Sequence, residues 1–237
     1  MLKNADPFEN HYLGNYSRYQ IEIYSSEMRS WRLFVKSFIA QYTVNFRMGV
    51  FWNGAIHWVN YFGPSLHFKV DDDEKLRKMP MPATPIPDRW EYGRRLRYFN
   101  EYREHLHLVE IYGPCTAKFD VYEMETDYSG WFVKYRVDLN IITIPFPEMI
   151  TTYLDPTYLH YYKFAIFGII REAGDEESYT VLHLPGKAIR YNLNNKTFNK
   201  ICDFSPGCED IQDIGYQGYL NFSWFNSFHY IETLASI

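Results

Sequence analysis

The sequence predicts an all-β protein, a β-propeller-like array of four-stranded antiparallel blades amounting to about four blade-equivalents. Whether the ring closes or stays open is not fixed by the strand pattern. Three observations carry this expectation. First, Lys187–Phe204 (KAIRYNLNNKTFNKICDF) reads as strand, turn, strand. Ile189, Tyr191 and Leu193 alternate with Arg190 and Asn192, and Asn194-Asn195 supplies residues that tolerate the left-handed conformation of a tight turn. Second, the same phrase recurs upstream in Tyr19–Val35, Leu66–Met79 and Lys118–Leu139, at a spacing of roughly 45–70 residues. Third, aromatic residues make up 19% of the 237-residue chain, with 22 Tyr and 18 Phe, while long helical periodicities are missing. Aromatic side chains favour strands and bury large areas.

In chain order, Met1–Arg18 shows no period and reads as an N-terminal tail or incomplete blade. Residues 19–237 read as one propeller domain, because no stretch resembles a linker. Tyr19–Val35 is an outer half-blade with Ile21 and Ile23 facing inward. Phe46–Trp52, the Asn53-Gly54 hairpin signal, Ala55–Tyr61, Leu66–Val70 and Leu76–Met79 make a fuller blade. Pro80, Pro82, Pro85 and Pro87 then exclude a central strand and mark a loop. That loop carries Trp90, Tyr92, Arg94 and Arg95, residue types enriched at binding hot spots, and these four are the candidate protein-binding residues. A loop whose Trp packs onto the neighbouring blade is the competing interpretation.

The next blade has strands Leu96–Glu101, Leu106–Tyr112, Ala117–Met124 and Trp131–Leu139. Asn140–Lys163 interrupts the pattern with Pro145, Pro147 and Pro156 and four tyrosines, and reads equally as a second binding loop or as a plug on the core. The last full blade has strands Phe164–Arg171, Tyr179–Leu184, Ala188–Leu193 and Phe198–Phe204. Tyr219–Phe225 and His229–Ala235 read as an inner half-blade. An outer half at one end and an inner half at the other are the pieces that seal a propeller in one shared sheet and remove exposed edges.

Chemistry is sparse. The net charge of -5 argues against general nucleic-acid binding. Phe164–Ile170 is too short to span a membrane. The N-terminus does not resemble a signal peptide, and Cys115, Cys202 and Cys208 form no paired framework, which suits a reducing cytoplasmic or nuclear compartment. His105 and His107 share one strand face, but no third metal ligand is marked by spacing. The acidic runs Asp71–Glu74 and Asp175–Glu177 read as solvated turns. No nucleophile elbow, phosphate loop, dinucleotide fingerprint or zinc-protease motif occurs. No catalytic, cofactor or metal residue is assigned, no cofactor is expected, and the chain reads as non-enzymatic.

Several phrases, IEIYSSEMRSW, GVFWNGAIHWV, LRKMPMP, HLHLVEIYGP, FDVYEMETDYSGWFVKYRVDL, VLHLPGKAIRYNLNNKTFNKICDF and HYIETLA, resemble the C-terminal, F-box-associated kelch-like propeller region of plant F-box proteins. The resemblance runs from Tyr19 to Ile237 and rests on blade phrases, so it implies an architecture and a role and no active site. It implies a substrate receptor: in the family an N-terminal F-box docks on the adaptor of a cullin-RING ubiquitin ligase, and the propeller holds a target protein. No F-box pattern precedes Tyr19, so the chain is expected to bind a target, and to reach the adaptor only if an F-box were present. The competing functional classes are a carbohydrate-binding or glycoside-processing propeller, which would need a central pocket with paired carboxylates, and a truncated remnant with raw strand edges.

Overall fold

In the computed structural model, residues 2–4, 16–60, 64–69, 76–83, 95–111, 117–156, 161–204 and 227 are described. Their regular structure is β-strand apart from two short 3-10 turns. Strands β1 (Leu2–Asn4), β2 (Tyr16–Ser25) and β3 (Ser30–Gln41) form a three-stranded sheet. Strands β4 (Val50–Trp52), β5 (Ala55–Trp58), β6 (Leu66–Lys69) and β7 (Leu76–Lys78) form a four-stranded meander. A second meander comprises β8 (Arg95–Tyr102), β9 (His105–Ile111), β10 (Lys118–Met124) and β11 (Trp131–Asp138). A third comprises β12 (Ala165–Ile170), β13 (Tyr179–Leu184), β14 (Lys187–Asn192) and β15 (Phe198–Asp203). The pairings within these sheets are antiparallel and join consecutive strands, which is the blade plan read from the sequence.

The chain divides into two compact units. The first comprises Met1–Ala83 with Met124–Phe132, the second Thr84–Glu123 with Val133–Ile237. In the first unit Ile21, Val44, Trp58 and Phe68 form the core, with Ile23, Phe38 and Phe46 packed against it. Ile21 and Ile23 face inward as their alternation requires. Phe46 sits edge-on to Trp58, ring centroids 5.4 Å apart, and Trp58 Nε1 donates to the Phe46 carbonyl at 3.2 Å. Asn53 and Gly54 have φ of 50° and 72°, the two left-handed residues that a two-residue hairpin demands.

In the second unit Tyr98, Phe99, Leu106, Leu108 and Val109 are fully buried beside Ile166, Ile169, Leu182, Ile189 and Tyr191. The Asn194-Asn195 turn differs from expectation. Lys196, at φ 62°, is the left-handed residue, and the two asparagines stay at negative φ. The reason is Asn192, which the alternation placed on the polar face but which is buried. Its side-chain oxygen accepts the N–H groups of Asn194 and Asn195 at 2.9 and 2.8 Å, and its amide donates to the Glu176 carbonyl at 3.0 Å. A side chain that organises its own turn shifts the strained position one residue on.

β1 pairs with β2 in the register Leu2↔Ile21, so residues from the aperiodic N-terminal stretch join the first sheet. The Tyr219–Phe225 and His229–Ala235 strands expected at the C-terminus lie outside the described residues, as do Gly113, Pro114, Cys115 and Cys208.

Candidate interaction surfaces and a buried ionic cluster

Of the four candidate binding residues, Trp90, Tyr92 and Arg94 lie outside the described residues. Arg95 opens β8, paired with Ile111 of β9. Two other surfaces expose large apolar side chains; the first was not singled out in the sequence as a contact site, and the second was left open there as a second binding loop or a plug.

The first is the tip of the β2–β3 hairpin, in the first unit. Tyr24 and Trp31 are cross-strand partners with ring centroids 5.4 Å apart, and Tyr24, Met28, Trp31 and Leu33 are all about half exposed or more. The turn between them closes with Ser25 Oγ accepting the Met28 N–H at 3.2 Å and with Arg29 at φ 47°. Alternation along β2 and β3 requires one face of the hairpin to pack on the Ile21 core. It does not require large apolar side chains beyond that core, which is why these residues are informative.

The second is the Asn140–Lys163 insertion, in the second unit, which is anchored on the core and also exposes apolar side chains. Leu139, Ile142 and Met149 are fully buried and anchor it. Asp138 caps the 3-10 turn Leu139–Ile142 by accepting the Asn140 N–H, Pro147–Met149 makes a second such turn, and Thr151 N–H and Lys163 N–H donate to the Tyr161 and Met149 carbonyls at 2.8 Å each. Lys187 pairs with Glu148 and lies over the Phe146 ring. On this fixed base Ile144 is 85% exposed, with Ile141 and Tyr153 also exposed. An anchored loop presents its apolar side chains at little ordering cost.

One set of charged groups in the second unit converges at a single place. His105 and His107 do share a strand face, and the third group that spacing could not mark is Glu123. The β9–β10 register sets Glu123 opposite His107. His105 Nδ1 lies 2.6 Å from Glu123 Oε1, and His107 Nε2 lies 3.7 Å from Oε2, too far for a hydrogen bond. Arg171, just past β12, donates to both Glu123 oxygens at 3.2 and 3.1 Å and lies 3.4 Å from Asp175. Asp175 also takes an ion pair from Lys134 at 2.8 Å and hydrogen bonds from Tyr135 and Ser178. Burial pushes the Glu123 carboxyl up, but the two histidines and Arg171 outweigh it and hold the group down to about 2. Burial lowers His107, which Glu123 opposes and which His105 and Arg171 reinforce. Asp175 is held at about 2, its partial burial offset by Lys134, Tyr135 and Ser178.

Two histidines and a carboxylate are a plausible metal set in isolation. Here the Arg171 guanidinium already occupies the carboxylate face that a cation would need. No group of three or more candidate ligands able to hold a metal ion is present among the described residues.

No protein-family model matches the chain. An F-box protein of Arabidopsis thaliana is 34% identical over 228 residues, covering 92% of this chain and 51% of that protein. The chain therefore spans about half the length of the curated relative that it matches. A solved structure of a protein from Lactobacillus plantarum aligns over 81% of this chain and 65% of its own length, at 9% identity and a TM-score of 0.35. The antiparallel meanders define an all-β, blade-built protein, and an F-box protein of Arabidopsis thaliana is a relative of it. No helix among the described residues is long and apolar enough to cross a membrane.

Proposed function

We propose that this chain is a non-enzymatic protein-interaction module, the target-holding part of a substrate receptor of the cullin-RING ubiquitin-ligase kind. The observation that carries the reading is the 34% identity to an F-box protein across 92% of the chain. Two features of the molecule support it. Part of its exposed apolar surface sits on constrained elements, the Tyr24–Trp31 hairpin tip and the anchored Ile144 loop. Its buried carboxylate Glu123 is committed to Arg171 and His105, leaving it poorly placed to serve as an acid or base. Trp90, Tyr92, Arg94 and Arg95 remain proposed contacts on the same reading, along with Trp31 and Ile144. A cytoplasmic or nuclear location follows from the same role, where ligase and target meet.

The test is affinity purification of two forms from plant cells, followed by mass spectrometry. One form is this chain, the other the same chain with an F-box fused ahead of it. The expected result is ligase subunits with the fused form only, and a shared set of further partners with both. A folded chain that enriches no partner in either form would overturn the reading.

A further inference from the structure

The ionic cluster has a property that neither the fold nor a recognition role requires. Glu123 and Asp175 are matched in charge by Arg171 and Lys134, so the cluster is neutral while both histidines are neutral. His107 sits inside it with no exposed surface, and neither of its ring nitrogens has a hydrogen-bond partner. Its neighbours are Asn100 on β8, His105 on β9, Glu123 on β10 and Arg171 after β12. Arg171 is the arm by which the β12 side holds β10.

We infer that this cluster is an acid-sensitive staple between the β8–β11 and β12–β15 sheets, with protonation of His107 as its release. A proton on His107 adds a positive charge that water cannot reach. It draws the Glu123 carboxylate across the remaining 3.7 Å and sets two cations, His107 and Arg171, in competition for it. Arg171 lies nearer the surface, its side chain 15% exposed, and is the one that can leave. His107 is lowered in the folded protein, so the unfolded or opened chain binds the proton more tightly. The staple is intact above the ordinary histidine range near pH 6.5 and is lost as pH falls below it. This inference stands apart from the receptor reading, since it concerns the integrity of the second unit whatever that unit binds.

Amide hydrogen exchange on the full chain, corrected for intrinsic rates, tests it at about pH 7.5 and about pH 5. Protection across residues 105–111 and 165–171 is expected to fall by about tenfold or more on acidification. In His107→Leu, neutral at every pH, the two values are expected to agree within about twofold. Arg171→Gln keeps the test usable if His107→Leu fails to fold. With the arm already gone, protection should be low at both pH values with little further acid loss. Wild-type protection that persists at the lower pH, or an acid loss of wild-type size in either variant, overturns the staple.

Discussion

The Tyr98 hydroxyl on β8 accepts the backbone N–H of Ile169 on β12 at 3.3 Å, with both residues fully buried. Ile169 lies opposite Thr180, beyond the irregularity in register between Ile166 and Gly168. A tyrosine from the neighbouring sheet thus supplies the acceptor that a regular ladder would have supplied. Tyr98→Phe keeps the ring and removes the acceptor, leaving a buried donor. The expected loss in unfolding free energy is about 1–3 kcal/mol, measured by urea titration. A change below about 0.5 kcal/mol would mean that the Ile169 N–H finds another acceptor at no cost.

Gly49 is held by packing. A Cβ at that position would stand 2.7 Å from Trp58 Nε1 and 2.8 Å from Ile56 Cγ2. Trp58 cannot swing aside freely, because its Nε1 is bonded to the Phe46 carbonyl and its ring is set edge-on to Phe46. Gly49→Ala is therefore expected to destabilise the first unit by about 1–3 kcal/mol, the usual range for overpacking. Gly174→Ala, with nothing within 4 Å, is the control and is expected to change stability by less than about 0.5 kcal/mol. Equal effects at the two sites would sink the packing argument.

The exposed residues should separate recognition from stability. Trp31 and Ile144 are 56% and 85% exposed, so neither contributes a core contact. Trp31→Ser loses its packing on Tyr24, and Ile144→Ser loses almost nothing. Both are expected to unfold within about 0.5 kcal/mol of the parent protein. A midpoint shift equivalent to about 2 kcal/mol in either would show that the side chain supports the fold.

The strands were legible because their signals are local. Alternation and the Asn53-Gly54 dipeptide place β4 and β5, and Tyr179–Leu184 falls where β13 lies. The blade plan follows, since consecutive antiparallel strands with short turns have few other ways to pair. What the sequence could not show depends on register between strands. Glu123 is unremarkable in FDVYEM until β9 sets it opposite His107, and Arg171 reaches it from another sheet, 48 positions along the chain. The Ile144 loop was ambiguous for a related reason. Its anchors, Leu139, Ile142 and Met149, and its exposed residues are the same types, and only the packing sorts them.

His57 gives the first unit its own acid sensitivity. It is fully buried on β5, stacked with Tyr128, ring centroids 5.7 Å apart. Its Nδ1 lies 3.3 Å from the Val50 carbonyl and its Nε2 lies 3.0 Å from the Tyr128 hydroxyl. A carbonyl only accepts, so Nδ1 carries the proton and the Tyr128 O–H donates to Nε2. Burial lowers the imidazole to about 4, the Val50 carbonyl opposing and His67 adding to the effect. An unfolded histidine titrates near 6.5, so the unfolded chain takes up the proton first. The stabilisation is complete above about pH 6.5 and is lost as pH falls toward about 4, amounting to about 3 kcal/mol in all. The His57 Cε1–H resonance is expected to titrate near the lower value in the folded protein, and Tyr128→Phe, which removes the donor to Nε2, should raise that midpoint. A midpoint near 6.5 in the folded wild type would mean that the ring is hydrated and that the first unit owes no acid lability to it.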